Sequence, residues 1–340
     1  MPTTFRPMQT HGHNNVADRR IRFLIHSTED PLAKDGPNVI AGLSHSPKRI
    51  SSVYVYDARG TELFERQCDT PEYYLRRAES ELLTSCAREI VDTCGLVPVI
   101  ELGAGTAEKT RLLLLEYAKR GARCDYFPID VDSATLIEAA GRLAADFPLL
   151  FVHCLGSTYQ KGLAALPSSP QSRLFLFLGS SLGNMEIPEI DLLLSQLFKC
   201  SAQGDYLLVG ADLDKDAAII DRAYNDSAGY GPRSTLNMLD HLNHRYGGNF
   251  VQANFRYRSR YDSLTRRNEV RIESLRNHTV TLSSLKFTVS FAVGEFIEAE
   301  VMWKFDPQQL VSILGHAGFS LARQWIEPVY RYGLFLLRRQ

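Results

Sequence analysis

One stretch limits the fold more than any other. Val99-Ile100-Glu101-Leu102-Gly103-Ala104-Gly105-Thr106-Ala107-Glu108-Lys109-Thr110-Arg111 passes from apolar β-formers through two close glycines into the leucine run Leu112 to Leu115. That order predicts strand, tight loop and helix. Gly103 and Gly105 let the backbone approach a ligand, and the amides opening the helix point into the same space. A dinucleotide turn, G-x-G-x-x-G/A, wants a small third residue, but Glu108 puts an acid where a pyrophosphate would sit, which disfavours NAD. No G-x-x-x-x-G-K-[ST] occurs, so a P-loop is excluded as well. The alternative to a ligand site is a joint that serves only the fold.

The chain around this turn alternates. After a helix through Leu82, Ala87, Ile90 and Val91, strands are expected at Cys124 to Asp130, Leu149 to Cys154, Leu174 to Gly179 and Tyr206 to Gly210. Helices are expected at Asp132 to Phe147, capped by Asp132, and at Ile187 to Cys200. Near-continuous apolar strands in βαβα order predict a parallel sheet covered on both faces, with ligands at the carboxyl ends of its strands. From Asp214 the alternation stops. Helices at Ala217 to Asn225 and Thr235 to Tyr246 precede two-residue-period segments at Phe255 to Tyr261, Glu269 to Leu275 and Leu285 to Phe291. At Phe305-Asp306-Pro307 the first pattern resumes, with a helix to Ala317 and strands at Phe319 to Trp325 and Tyr330 to Arg338. Upstream, residues 1–22 read as an extended arm, and Phe23 to Gly42 as one or two helices.

The fold class is therefore α/β, a Rossmann-like sheet with an inserted α+β lobe. The expected division is an N-terminal arm and helices over 1–70 that join the lobe, a core over 71–213, a substrate lobe over 214–300 and returning core over 301–340. Thirty-eight basic against 39 acidic residues, a net charge of −1, leave no basic stripe for nucleic acid or anionic lipid. A small-molecule partner is expected, and a monomer. Cys68, Cys86, Cys94, Cys124, Cys154 and Cys200 are scattered without a C-x-x-C pair, as in a reducing cytoplasm. No apolar run is long enough for a membrane span, and no export signal is recognised. His11 with His13, and His241 with His244, lack a third ligand at useful spacing, so no metal site is assigned.

The remaining glycine pattern, E-x-G-x-G, resembles that of class I methyltransferases, which hold S-adenosylmethionine. In that setting Asp130, at the end of the second strand, stands where an acid accepts hydrogen bonds from both ribose hydroxyls, and Lys109 could reach the cofactor's carboxylate. Tyr56-Asp57, Pro71-Glu72-Tyr73-Tyr74, the Glu101 to Thr110 turn, Phe177-Leu178-Gly179-Ser180 with Gly183-Asn184, Asp212-Leu213 with Lys215-Asp216, Ala223-Tyr224 with Asp226 and Ala228-Gly229, and Arg271-Ile272-Glu273 occur in order. From about residue 50 onward the chain is similar to the L-histidine Nα-methyltransferase family of ergothioneine biosynthesis.

That resemblance implies cofactor contacts from Glu101, Gly103, Gly105, Lys109 and Asp130, and amino-acid contacts from Tyr56, Tyr73, Asn184 and Tyr224, with Glu300 at the imidazole. Three places depart. Gly156-Ser157-Thr158 replaces the family's Gly-Asp-Phe beside the adenine, Met302 replaces a serine, and Ser274 replaces a methionine. The serine and methionine are exchanged between positions that the family places around one ring, so Ser274 is expected to supply the hydroxyl that Met302 lacks. The chemistry agrees with these residue types. Methyl transfer needs an uncharged amine held in line with the methyl. Asn184 and Tyr73 can accept the amine's N–H bonds without the full charge that would stabilise the ammonium, and Tyr224 can donate to the carboxylate. Three successive transfers would give the trimethylated betaine. Two rivals are a methyltransferase for tryptophan or tyrosine, and a protein that binds the cofactor without turnover.

Overall fold

The computed structural model describes residues 19–26, 30 and 32–340. Among them, the strands are β1 (Ile21–Ile25), β2 (Lys48–Arg49), β3 (Val99–Leu102), β4 (Cys124–Asp130), β5 (Leu150–Gly156), β6 (Leu174–Phe177), β7 (Tyr206–Asp212), β8 (Phe255–Asp262), β9 (Arg267–Ser274), β10 (His278–Leu282), β11 (Phe287–Phe291), β12 (Phe296–Trp303), β13 (Phe319–Ile326) and β14 (Tyr332–Arg339). The helices are α1 (Gly36–Ser44), α2 (Ala58–Cys68), α3 (Leu75–Cys94), α4 (Glu108–Lys119), α5 (Ser133–Asp146), α6 (Tyr159–Ala164), α7 (Ile187–Cys200), α8 (Ala217–Tyr224), α9 (Tyr230–Tyr246) and α10 (Pro307–His316).

An eight-stranded sheet runs β1-β5-β4-β3-β6-β7-β14-β13, parallel except for β14, which is antiparallel to both β7 and β13. Strand order reverses between β3 and β6, and the crevice above that switch point is where such sheets bind ligands. Local signals set several boundaries. Asp132 accepts from the Ala134 and Thr135 amides to cap α5, and a Glu186/Glu189 capping box with Pro188 in the first turn starts α7. One apolar core covers one face of the sheet with α3, α4 and α5 and continues into the lobe through Met238, Leu242, Ile272 and Ile297. The other face is covered by α7 and α10.

The lobe has its own four-stranded sheet, β2-β12-β9-β8, and the hairpin β10-β11. Lys48 and Arg49 join it beside Ile297 and Glu298, and α2 packs on α9.

The structure corrects the reading of the N-terminal part. Ile21–Ile25 is a strand parallel to β5, spanning the end of the expected arm and the start of the helix expected from Phe23, and α1 begins only at Gly36. Its Ile-Arg-Phe-Leu-Ile composition suits an edge strand once β5 offers a partner. Residues 1–18 lie outside the described residues, and so do His11 and His13. Besides β1, the strands β2, β10 and β12 were not foreseen, and β12 carries the lobe sheet to Trp303, past the expected division at 300.

Candidate active site

The glycine turn sits at the carboxyl end of β3. Gly103 (φ 71°) and Gly105 (φ 50°) both adopt left-handed backbone that favours glycine. A Cβ at position 103 would lie 2.9 Å from the Tyr159 hydroxyl, whereas one at 105 would meet nothing within 4 Å, so space is open above the turn. Asp130, ending β4, accepts from the Gly105 amide (2.9 Å) and the Asp132 amide (3.0 Å). Burial raises its pKa, against those two amides. Ser157 and Thr158 follow β5 on the neighbouring strand. The Ser157 amide donates to the Asp130 carbonyl (2.8 Å), its hydroxyl to the Thr158 carbonyl (3.2 Å), and Thr158 is exposed at the start of α6. The ends of β3, β4 and β5 thus gather two glycines, a carboxylate with lone pairs to spare, and a hydroxyl around open space. This set fits an adenosyl group.

Two of the expected cofactor residues are placed differently from the rest. Glu101 is buried, with its carboxylate bonded to the Tyr126 hydroxyl, and burial pushes it up to about 7. It acts from beneath the turn. The Lys109 ammonium is paired with the buried Glu79 (2.7 Å), so only its remaining donors can turn toward a ligand. Glu79 also accepts from the Gly179 amide and the Tyr332 hydroxyl.

On the lobe side an aromatic row lines the cleft. Tyr56, exposed at the mouth, meets Phe64 edge-on (5.6 Å between centroids), Phe64 meets Tyr73 (6.0 Å), and Tyr73 meets Tyr224 (6.1 Å). Tyr73 is buried, and its pKa is driven far up by burial, so its phenol keeps its proton. Tyr224 closes α8. Its carbonyl accepts from the Tyr257 hydroxyl (2.6 Å) and its own hydroxyl accepts from Lys304 (2.8 Å). Asn184 ends the 3-10 turn after β6 with its side chain exposed. That turn lies against β12, because a Cβ at Gly183 would stand 2.8 Å from the Trp303 carbonyl.

Glu300 reaches this cleft through a β-bulge. Along β12, Ile297 opposes Ile272 and Glu298 opposes Arg271, but the register then shifts, so that Glu300 opposes Val270 with Ala299 as the extra residue. Strict alternation would send Glu300 outward with Glu298, which pairs with Arg49. The bulge turns it to the face of Ile272 and Val270, both buried. Its charge is felt by Tyr56, Tyr73, Tyr224 and Tyr257. Burial pushes its carboxyl up to about 7.

Ser274 is not part of this cluster. It lies four residues along β9 from Val270, roughly 13 Å at strand spacing, where it is buried and donates to the Arg276 carbonyl (2.8 Å). The hydroxyl expected beside Met302 is therefore not supplied by Ser274. Asn268 stands opposite Met302 instead, fully buried, with its amide oxygen accepting from Ser259 and its amide nitrogen without a partner among the described residues. Sequence reasoning missed it, since only the strand register brings it there.

It also missed the ionic cluster behind Tyr224. Asp212, at the end of β7, accepts from Lys304 (2.8 Å), from Tyr74 (2.8 Å) and from Lys215. Burial opposes the Asp212 charge, yet the two lysines outweigh it and lower its pKa. The signal was in the motif Asp212-Leu213-x-Lys215, but its partner Lys304 is remote in sequence. Among the described residues no three His, Cys, Asp or Glu side chains group around a metal position, and His241 is engaged with the Tyr54 carbonyl (2.9 Å).

Comparison with known proteins agrees with this geometry. The family described as histidine-specific, S-adenosylmethionine-dependent methyltransferases matches residues 34–339. Histidine N-alpha-methyltransferase of Mycobacterium tuberculosis is 33% identical over 88% of this chain and 93% of its own length. The protein of that name from Mycolicibacterium smegmatis is 33% identical over 92% and 96%. The L-tryptophan methyltransferase of Psilocybe serbica is 25% identical over 88% and 91%. The match spans the glycine turn, the aromatic row and the bulged strand alike, and the chain belongs to the histidine-specific, S-adenosylmethionine-dependent methyltransferase family.

Proposed function

We propose that this methyltransferase acts on the α-amine of L-histidine and adds three methyl groups in succession to give Nα,Nα,Nα-trimethyl-L-histidine. The observation that carries the reading is Glu300, a half-buried carboxylate that the bulge turns toward an aromatic row and whose pKa is raised by desolvation. A carboxylate partly withdrawn from water and left unpaired costs free energy, so the site favours a side chain with an N–H donor over a plain phenyl ring.

Bound at the glycine turn, S-adenosylmethionine supplies a sulfonium methyl group. Asp130 would hold the ribose, and Ser157 and Thr158 would stand beside the adenine. Tyr73 and Asn184 accept hydrogen bonds from the neutral amine and aim its lone pair, and neither carries the charge that would favour the ammonium. Tyr224 donates to the α-carboxylate. The nitrogen's bond to the methyl forms as the methyl's bond to the sulfonium breaks, and after each of the first two transfers the new ammonium loses a proton to solvent, leaving a neutral amine with one N–H fewer, so the hold on the amine weakens while the carboxylate and side-chain contacts persist. Turnover to the third methyl rests on those two anchors.

Tryptophan is the second reading, because an indole N–H also satisfies Glu300 and Met302 offers an apolar, polarizable surface. Comparison of kcat/KM for histidine, tryptophan, tyrosine and phenylalanine decides. Histidine is expected to lead, and a wild-type preference for any other amino acid overturns the substrate. We also infer a reducing, cytosolic setting, which the six free thiols support. Cell fractionation tests that.

A further inference from the structure

Lys304 follows directly on β12 and is 1% exposed. The carboxylate it reaches is already neutralised. Lys215 pairs with Asp212 and donates to the Tyr74 hydroxyl (2.8 Å), which itself donates to Asp212 (2.8 Å). One aspartate, one ammonium and one phenol make a closed set. Lys304 adds a second buried ammonium to the same carboxylate at 2.8 Å. Asp212 holds Lys304 in its charged form, while burial and the Lys304 charge push Lys215 down to about 8, so below that pH the cluster carries a surplus positive charge. A buried charge without a counter-charge is costly, and such a surplus persists where something offsets it.

The direction in which the surplus acts is fixed by hydrogen-bond chemistry. An ammonium can only donate, so in the 2.8 Å contact between Lys304 and Tyr224 the phenol oxygen is the acceptor. The phenol's own proton must then point away from Lys304. Tyr224 becomes a one-way donor, polarised by the cation behind it, at the end of the aromatic row where its ring meets that of Tyr73.

We propose that Lys304 is a positioning residue that acts through Tyr224 to make the site select ligands with a free α-carboxylate, the anion that offsets the surplus charge. This rests on the reading that Tyr224 faces the amino acid's carboxylate, but not on which side chain the amino acid bears. Simple scaffolding does not explain Lys304, because Lys215 alone neutralises Asp212.

The test uses the full-length enzyme and calorimetric titration with two matched pairs, L-histidine with histamine and L-tryptophan with tryptamine. Lys304→Met removes the charge and leaves the Asp212–Lys215 pair intact. It is expected to weaken the carboxylate-bearing ligand at least tenfold and its decarboxylated partner less than twofold. Lys304→Arg, which keeps the charge, is expected to restore most of the loss. In a Tyr224→Phe background, Lys304→Met should add less than twofold, since the intermediary is gone. Equal weakening of both members of a pair overturns the proposal, as does a full tenfold loss retained without the Tyr224 hydroxyl. Where a decarboxylated ligand is too weak to titrate, the double variant with the carboxylate ligand decides alone. Wild-type enzyme that binds tryptophan rather than histidine would sink the substrate reading and still leave the tryptophan pair to judge Lys304.

Discussion

Glu79 and Asp212 are both buried carboxylates beneath the cleft, one under the cofactor side and one under the substrate side, and they are neutralised in different ways. Glu79 accepts from Lys109, the Gly179 amide and the Tyr332 hydroxyl, one cation and two neutral donors. Its charge is cancelled, and what it gains is a tie between α3, α4, the end of β6 and β14. Asp212 accepts from two ammonium groups and one phenol. Burial is nearly the same at the two sites, so burial does not separate scaffold from recognition. The charge count does, because a balanced pair is complete in itself and an unbalanced one is complete only with a ligand.

The comparison can be broken most directly at Asp212. Asp212→Asn leaves two buried ammonium groups without a carboxylate and should lower unfolding stability by about 3–5 kcal/mol in urea titration. A loss near zero would show that the lysines rehydrate and that the count means nothing. Glu79→Gln should cost less, about 2–3 kcal/mol, because Lys109 is 29% exposed and can turn to water while Gly179 and Tyr332 keep a neutral acceptor.

Glu300 extends the comparison to a carboxylate that forms no ion pair among the described residues. Its folded-state pKa, about 7, lies above the ordinary 4.5. The native state therefore binds more protons than the unfolded state between those values, and stability falls as pH rises through that window. Glu300→Gln should match wild type near pH 4 and exceed it by about 1–2 kcal/mol at pH 8, as read by thermal melts. Part of the wild-type slope should remain, because Glu101 is also pushed up to about 7. An unchanged difference across the pH range would show that Glu300 is charged and solvated in the free enzyme.

The smallest effect sharpens the contrast. Lys304→Met should change unfolding stability by less than about 1 kcal/mol, since Asp212 keeps Lys215, even as affinity for the carboxylate falls. A stability loss as large as that of Asp212→Asn would make Lys304 part of the scaffold.

Much of the core was legible in the sequence because its signals are local. β4 and α7 have the boundaries that periodicity set, Cys124–Asp130 and Ile187–Cys200, and the Asp132 cap starts α5 within one residue of its expected place. Ile21–Ile25 was misread because a five-residue segment with four apolar residues becomes a strand only when β5 is there to pair with it. The exchange of serine and methionine looked like compensation around one ring, but register separates Ser274 from Glu300 by four strand positions.

The sequence by itself determined the cofactor side. Gly103, Gly105 and Asp130 lie on one strand-turn-helix-strand unit, where backbone conformation and a single parallel pairing fix their relation. The substrate side was decided by tertiary structure. Tyr73 precedes α3, Asn184 ends a 3-10 turn, Tyr224 closes α8, and Glu300 and Lys304 lie on and just after β12, so four separate stretches of chain meet here and no local pattern says that they do. A one-residue bulge at Ala299 reverses the facing of everything after it, so Glu300 stands in the cleft rather than beside Arg49. The surplus charge behind Tyr224 has the same origin, since Lys304 meets Asp212 only after two sheets have packed together, and charges sum by distance in space rather than along the chain.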